Sequence, residues 1–219
     1  MNAPTDIRSD HDPALDALVA RTEGLQPWRR VFHAGNGVLL ALGPVLVGWS
    51  RELILVVLSG ALLAQLLLDV ARLRARALNR LFFKLFGRLA SPREASGMAS
   101  STWYTLGALI AYAVYPRDVA IAAILVLGLA DPAAGVVGRI WGRRPLGKGT
   151  VEGTTTFWLV ATLVLVPFFG WPPALLAAGV AAVSEIVPGL VDDNLVIPVI
   201  TGAVLWLTSA QTSASSFPF

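Results

Sequence analysis

The chain has 219 residues, of which 55% are hydrophobic and only 14% charged, and its mean hydropathy is +0.67. A soluble domain carries about 25% charged residues, so the composition excludes a water-soluble globular protein and points to an integral membrane protein. The net charge of +3 and the isoelectric point near 9.8 fit basic loops on one side of a bilayer and imply no nucleic-acid partner, while the absence of cysteine removes disulfides and thiolate metal sites.

Residues 1–28 are polar and lack the basic start and apolar core of a cleaved signal peptide; they are expected to form a flexible or surface-lying tail. Seven apolar runs follow, each approaching the ~20 residues that cross a bilayer as a helix. They cover Val31 to Trp49, Leu53 to Val70, Ala99 to Tyr115, Val119 to Ile140, Thr155 to Phe169, Pro172 to Val187 and Leu195 to Ser209. Gly170-Trp171-Pro172-Pro173 joins the fifth and sixth as a tight turn, which predicts a helical hairpin. The expectation is an all-α, polytopic membrane bundle of about seven transmembrane helices, a single domain over 29–209 with a short tail at 210–219.

Orientation follows from lysine and arginine. With the N-terminus inside, fifteen of the seventeen basic residues fall in inner segments, and only Arg51 and Arg117 lie outside. This split places the N-terminus in the cytoplasm. The inner segment 72–93 contains LNRLFFKLFGRL, where apolar and basic side chains alternate at near-helical spacing. It reads either as a helix lying on the anionic inner leaflet or as a loop that fixes topology.

The acids outside the tail sort to the same side. Asp69, Glu94, Asp131, Glu152, Glu185, Asp192 and Asp193 fall at the inner face, and only Glu52 and Asp118 outside. Ionisable groups inside membrane segments are costly and usually functional, and Asp131 and Glu185 sit furthest inside apolar runs. Asp131, Gly135, Gly138 and Gly142 recur at helical spacing, so they share a face. Small residues there admit a close neighbour and turn the acid into the bundle. The alternative is a packing stripe around a neutralised aspartate.

The loop GRRPLGKGTVEG nearly matches a Walker phosphate-binding loop, but Gly149 stands where Ser or Thr should follow the lysine. A membrane helix also precedes it where that motif requires a strand. What remains is an inventory suited to a metal-complexed polyphosphate. Arg139, Arg143, Arg144 and Lys148 offer cationic donors, and nearby carboxylates can share Mg²⁺ with phosphate oxygens. Phosphoryl transfer rests mainly on positioning and charge neutralisation.

These residues also resemble a known family. Asp131-Pro-Ala-Ala134-Gly-Val-Val-Gly138 followed by Lys148-Gly-Thr150-Val-Glu152-Gly153 is similar to the D-x-x-A-x-x-x-G and K-K-T-x-E-G pattern of CTP-dependent lipid kinases. That family includes dolichol kinases, phytol kinases and CTP-using diacylglycerol kinases. RRVFHAGNG, LLLDVARLR, SPREASGMASSTWY and EIVPGLVDDNLVIPV are similar to its other conserved stretches, in the same order, from about Trp28 to Pro198. The resemblance departs at Gly149, where the family has a second lysine, and at Ala130, where it often has glycine.

The resemblance implies that Asp131, Lys148, Thr150, Glu152 and Gly153 serve a CTP–Mg²⁺ site. The expected activity is transfer of the CTP γ-phosphoryl group to an isoprenoid alcohol of the phytol, polyprenol or dolichol type, at the cytoplasmic membrane surface. Alternatives are a diacylglycerol kinase, a phosphatidate cytidylyltransferase or, from another class, a membrane transporter. Asp131, Lys148 and Glu152 are the candidate catalytic residues, and Gly138, Arg139, Arg143 and Arg144 join the nucleotide site. Asp131, Glu152 and Asp193 are the candidate metal ligands.

Further candidates each carry a plainer reading. His33 is either a proton acceptor or a hydrogen-bonded helix residue. Asp69 pairs with Arg72 three residues on or serves the site. Asn194 orients Asp193 or caps the last helix. Glu94 and Glu185 complete the list, the latter near a helix end marked by Pro188 and Gly189.

Overall fold

A computed structural model describes residues 12–187 and 191–215. Helix α1 (Pro13–Ala20) precedes α2 (Pro27–Leu46), α3 (Arg51–Arg74) and α4 (Arg76–Phe86). A short 3₁₀ turn (Pro92–Ala95) leads to α5 (Ser100–Val114) and α6 (Arg117–Ile140). A two-residue-per-strand hairpin, β1 (Pro145–Leu146) and β2 (Gly149–Thr150), then opens into α7 (Val151–Phe169), α8 (Trp171–Ile186) and α9 (Asp193–Ser215). The fold is all-α apart from that hairpin.

Each of the seven apolar runs is a helix. Three of them, α3, α6 and α7, are long and apolar enough to cross a membrane, while α8 and α9 are shorter apolar helices. These three helices make the chain a membrane protein. Helix α5 has 15 residues and so rises only about 22 Å, less than the ~30 Å hydrocarbon core.

Helix α6 is the centre of the bundle. Its apolar window is 72% buried, against 17% for α3 and 28% for α7, and it packs on α2, α5, α7 and α9. The reason lies in its side chains. Ala120, Ala122, Ala123, Ala130 and Ala134 are all buried, and small residues let several helices reach one axis. The α2 crossing is the tightest: a Cβ on Gly37 would stand 2.5 Å from both the Gly128 Cα and the Tyr104 hydroxyl. Gly37→Ala is therefore expected to destabilise the protein by about 1–3 kcal/mol through overpacking, seen as a lowered midpoint in thermal unfolding.

The expected helical hairpin is present. Gly170 adopts φ +74 between α7 and α8, a conformation open to glycine, and the two helices pack together. Other boundaries differ from expectation. Part of the N-terminal tail is structured: Asp12 caps α1 by accepting the Leu15 N–H at 3.2 Å and pairs with Arg80 on α4 at 2.8 Å. The Leu15 N–H foremost, with Arg80, holds the Asp12 carboxyl below its usual value. At the other end α9 runs into the expected tail as far as Ser215. Pro188 and Gly189 lie outside the described residues.

Helix α4 realises the helical reading of the basic segment. Phe83 is buried beneath it, while Leu81, Leu85 and Phe86 are exposed. The 3₁₀ turn that follows is closed by a capping box in which Glu94 accepts the Ser91 N–H at 3.2 Å.

Candidate functional site

Asp131 lies in α6, nine residues before its end at Ile140, or about 14 Å along the axis. It faces inward, half-buried, in a polar cavity of about 650 Å³. Its carboxylate is 3.6 Å from His33 Nε2 on α2. His33, Glu94, Arg139, Glu185, Asp193 and Asn194 line the same cavity, so seven sequence-selected residues converge from five segments of the chain. Asp131 is also the charge that Arg30, Glu185 and Asp193 all feel.

The glycine stripe does two jobs. A Cβ on Gly135 would collide with the Arg30 guanidinium, so this glycine makes room for a cation and not for a helix. Further along, Gly138 meets Gly153 and Thr150: a Cβ on Gly153 would lie 3.1 Å from the Ala134 carbonyl and 3.3 Å from the Gly138 Cα. The start of α7 is thereby held against the end of α6. Thr150 caps α7 by accepting the Gly153 N–H at 3.1 Å.

The glycine-rich loop folds into the small hairpin. Gly147 takes φ +56 at the first place of the two-residue turn Gly147-Lys148, where glycine is preferred. The turn seats on α8, with the Lys148 N–H donating to the Ile186 carbonyl at 3.1 Å. This aims the Lys148 ammonium at Asp193, whose two carboxylate oxygens it reaches at 2.6 and 2.7 Å. Forty-five residues apart in sequence, the pair ties the loop to the cavity.

Glu152 is placed differently from expectation. Its Oε2 accepts the backbone N–H groups of Arg143 at 3.1 Å and Arg144 at 3.4 Å, so the carboxylate clips the loop onto α7. It does not line the cavity, and neither do Gly138, Arg143, Arg144, Lys148, Thr150 and Gly153; Lys148 meets the cavity only through Asp193. Among the described residues no three His, Cys, Asp or Glu side chains gather closely enough to hold a metal ion. The set Asp131, Glu152 and Asp193 is therefore not one preformed cluster, because the loop amides engage Glu152.

Asp69 and Arg72 form a buried structural joint. Arg72 Nε donates to Asp69 at 2.7 Å, and its other nitrogens reach the carbonyls of Glu94 at 2.6 Å and Gly97 at 2.7 Å. Asp69 accepts the Thr102 hydroxyl at 2.7 Å and the Ala99 N–H at 3.0 Å. Helix α3, the 3₁₀ turn and α5 are locked together at this point. Breaking such a pair leaves a buried charge alone, so Asp69→Ala should cost about 3–5 kcal/mol. The readout is loss of folded protein in a solubility or melting assay, in place of a selective kinetic defect.

Asn194 does not cap α9. Asp192 takes that place, accepting the Asn194 N–H at 3.0 Å and its side-chain amide at 2.5 Å. Sequence reasoning also passed over Arg29 and Arg30. Arg29 donates to the Ser100 hydroxyl at 3.1 Å, and Arg30 to the Pro132 carbonyl at 3.3 Å; both line the cavity. The available signal was RRVFHAGNG, with both arginines three to four residues before His33, on its helix face.

Comparison with known proteins bears on this geometry. The chain is 29% identical over 204 residues to a CTP-dependent diacylglycerol kinase 1 of Eremothecium gossypii, covering 79% of this chain and 64% of that protein. It is 27% identical to the protein of that name in Schizosaccharomyces pombe, over 64% of this chain and 73% of the relative. The Saccharomyces cerevisiae counterpart is 25% identical over 79% and 70%. The chain is a relative of the CTP-dependent lipid kinases. It spans just under two-thirds of the Eremothecium kinase's length. No protein-family profile and no solved structure matches it.

Cations from α2 and α6 face carboxylates from α6, α8 and α9, and the K-x-T-x-E-G hairpin closes one side through Lys148 and Asp193.

Proposed function

We propose that the protein transfers the γ-phosphoryl group of CTP to the free hydroxyl of a diacylglycerol. The observation that carries this reading is the convergence of Asp131, His33 and Asp193 on one polar cavity, with Lys148 paired to Asp193 at its edge, in a relative of CTP-dependent diacylglycerol kinases. The isoprenoid acceptor expected from the wider family gives way to a glyceride because the relatives found are named for diacylglycerol. Their names favour a kinase over a cytidylyltransferase or a transporter.

In this reading the acceptor oxygen forms a bond to the γ-phosphorus, the bridging bond to the β-phosphate breaks, and CDP leaves. The hydroxyl proton passes to the Asp131–His33 pair, 3.6 Å apart. Lys148, Arg139, Arg29 and Arg30 neutralise the phosphates, each charge-assisted contact being stronger than a neutral one. Asp131 and Asp193 would hold Mg²⁺ together with phosphate oxygens, which suits an ion that needs only one or two protein carboxylates. Bound there, Mg²⁺ supplies neutralisation of the transferring group. Glu152 and Thr150 hold the loop in place.

Seven spans with the N-terminus inside would set this cavity at the cytoplasmic surface, which the fifteen inner basic residues favour.

The test is incubation of purified protein with CTP labelled at the γ-phosphate and a panel of diacylglycerol, phytol, polyprenol and phosphatidate, with lipid and nucleotide products both resolved. Labelled phosphatidate with release of CDP is the expected result. Folded protein that labels none of the three overturns the reading, and CDP-lipid formed from phosphatidate with release of pyrophosphate replaces it by cytidylyl transfer.

The departure at Gly149 gives a gain-of-function prediction. A Cβ there would make only ordinary contacts, 3.7 Å to Ile186 Cγ2 and 3.8 Å to Glu185 Oε2. Gly149→Lys therefore places a second cation at the cavity edge without strain, and the KM for CTP is expected to fall about tenfold, measured at saturating acceptor.

A further inference from the structure

Helix α4 leaves α3 across one extended residue, Ala75, with φ -122 and ψ 106, so its axis departs from that of the membrane-crossing helix. Its 11 residues rise about 16 Å, half the ~30 Å hydrocarbon core. It is too short to span, and it packs on α3 and α1.

Three faces run along it. Asn79 and Phe83, four residues apart, are buried. Leu78, Leu81 and Leu85 share the opposite face at helical spacing and are exposed, Leu85 at 65%. Between these two faces lies a line of cations at four-residue steps, Arg76, Arg80 and Lys84, which Arg88 continues just past the helix end. From Val70 to Arg93 the chain carries seven basic residues and no acid. Arg80 pairs with Asp12 at the start of α1 at 2.8 Å. Lys84 and Arg88 are exposed, and among the described residues no ion pair engages them.

The apolar face continues the lipid-facing wall of α3. Leu68, 68% exposed on that membrane helix, lines one groove with Leu78, Leu81 and Leu85. A continuous apolar patch of this kind marks a surface that is covered. A second copy of the chain is a poor cover, because a two-fold contact across this face brings two lines of cations together. A bilayer with anionic headgroups matches both the leucines and the cations beside them.

We propose that α4 lies in the headgroup layer of the bilayer, with Leu78, Leu81 and Leu85 among the acyl chains and Lys84 and Arg88 on anionic phospholipid headgroups. Position fixes the leaflet as the one bordering the polar cavity, since Arg29, Glu94 and Ser100 line both that cavity and the groove beside α4. Helix α1, held through Asp12, then covers the cations nearest the core from the aqueous side. The assignment is independent of phosphoryl transfer.

Spin labelling tests the placement, and the absence of cysteine from the chain makes every introduced label unique. Leu78→Cys, Leu81→Cys and Leu85→Cys proteins are labelled and reconstituted in bilayers of phosphatidylcholine and phosphatidylglycerol. The labels are expected to be accessible to lipid-soluble oxygen and shielded from a water-soluble nickel chelate. Labels open to the chelate put the face in water, and labels shielded from both reagents put protein against it; either result overturns the proposal.

A fluorophore on Leu85→Cys reads the headgroups nearby. Its quenching by phosphatidylglycerol brominated in the acyl chains is compared with that by brominated phosphatidylcholine. The preference for the anionic lipid is expected to fall about 5-fold for each of Lys84→Gln and Arg88→Gln, and to shrink in high salt. Equal quenching by the two lipids before substitution, or an unchanged preference in the folded double variant, overturns the headgroup contact. Neither measurement involves turnover, so failure here leaves the kinase reading untouched, and failure of the kinase assay leaves this one standing.

Discussion

Asp131→Asn should reduce turnover by about 10²–10⁴-fold, the range attributed to loss of a positioned proton acceptor, while leaving the protein folded. Asparagine keeps the shape of aspartate, and its side chain sits at a cavity wall, not in the close-packed core of α6. What is lost is charge. That charge bears on Arg30, His33, Glu185 and Asp193 together, so its removal alters the whole cavity. Rate assays across acceptor concentration, with melting curves as the folding control, separate chemistry from stability. A drop of only a few-fold in turnover would remove Asp131 from the reaction.

The position of this aspartate shows how much the sequence could convey. An acid followed by proline inside an apolar run must turn inward, because lipid offers it no partner, and glycines on the same face confirm a crowded neighbourhood. Run lengths located all seven bundle helices because an apolar stretch approaching the ~20 residues of a bilayer crossing has few other conformations open to it. Asp69 and Arg72 were legible as a pair from their spacing alone.

What stayed hidden depends on separation along the chain. Nothing local to Lys148 announces Asp193, and only the seating of the hairpin on the end of α8 brings them together. Glu152 engages the amides of its own loop, and a carboxylate in a signature motif reads the same whether it binds a ligand or that loop. Asp192 and Asn194 are both good helix caps, so sequence alone could not choose between them.

Lys148→Ala is the second substitution with a large expected effect, a rise of about 10- to 100-fold in the KM for CTP, as follows from losing a charged contact of about 1.5–3 kcal/mol. A rival explanation must be separated from it. Lys148 neutralises Asp193, so its removal also leaves a half-buried carboxylate without its cation, and that charge alone would repel a triphosphate. The double substitution Lys148→Ala with Asp193→Asn decides between them. If Lys148 acts only on Asp193, the double variant regains the original affinity. If Lys148 grips phosphate, affinity stays low, and Lys148→Arg recovers part of it because guanidinium also pairs with phosphate. The second pattern is expected, since the turn at Gly147 fixes the backbone yet leaves the lysine side chain long and mobile enough to exchange a carboxylate for a phosphate within the same cavity. Full recovery in the double variant would reduce the hairpin to a structural clasp and detach the K-x-T-x-E-G segment from nucleotide binding.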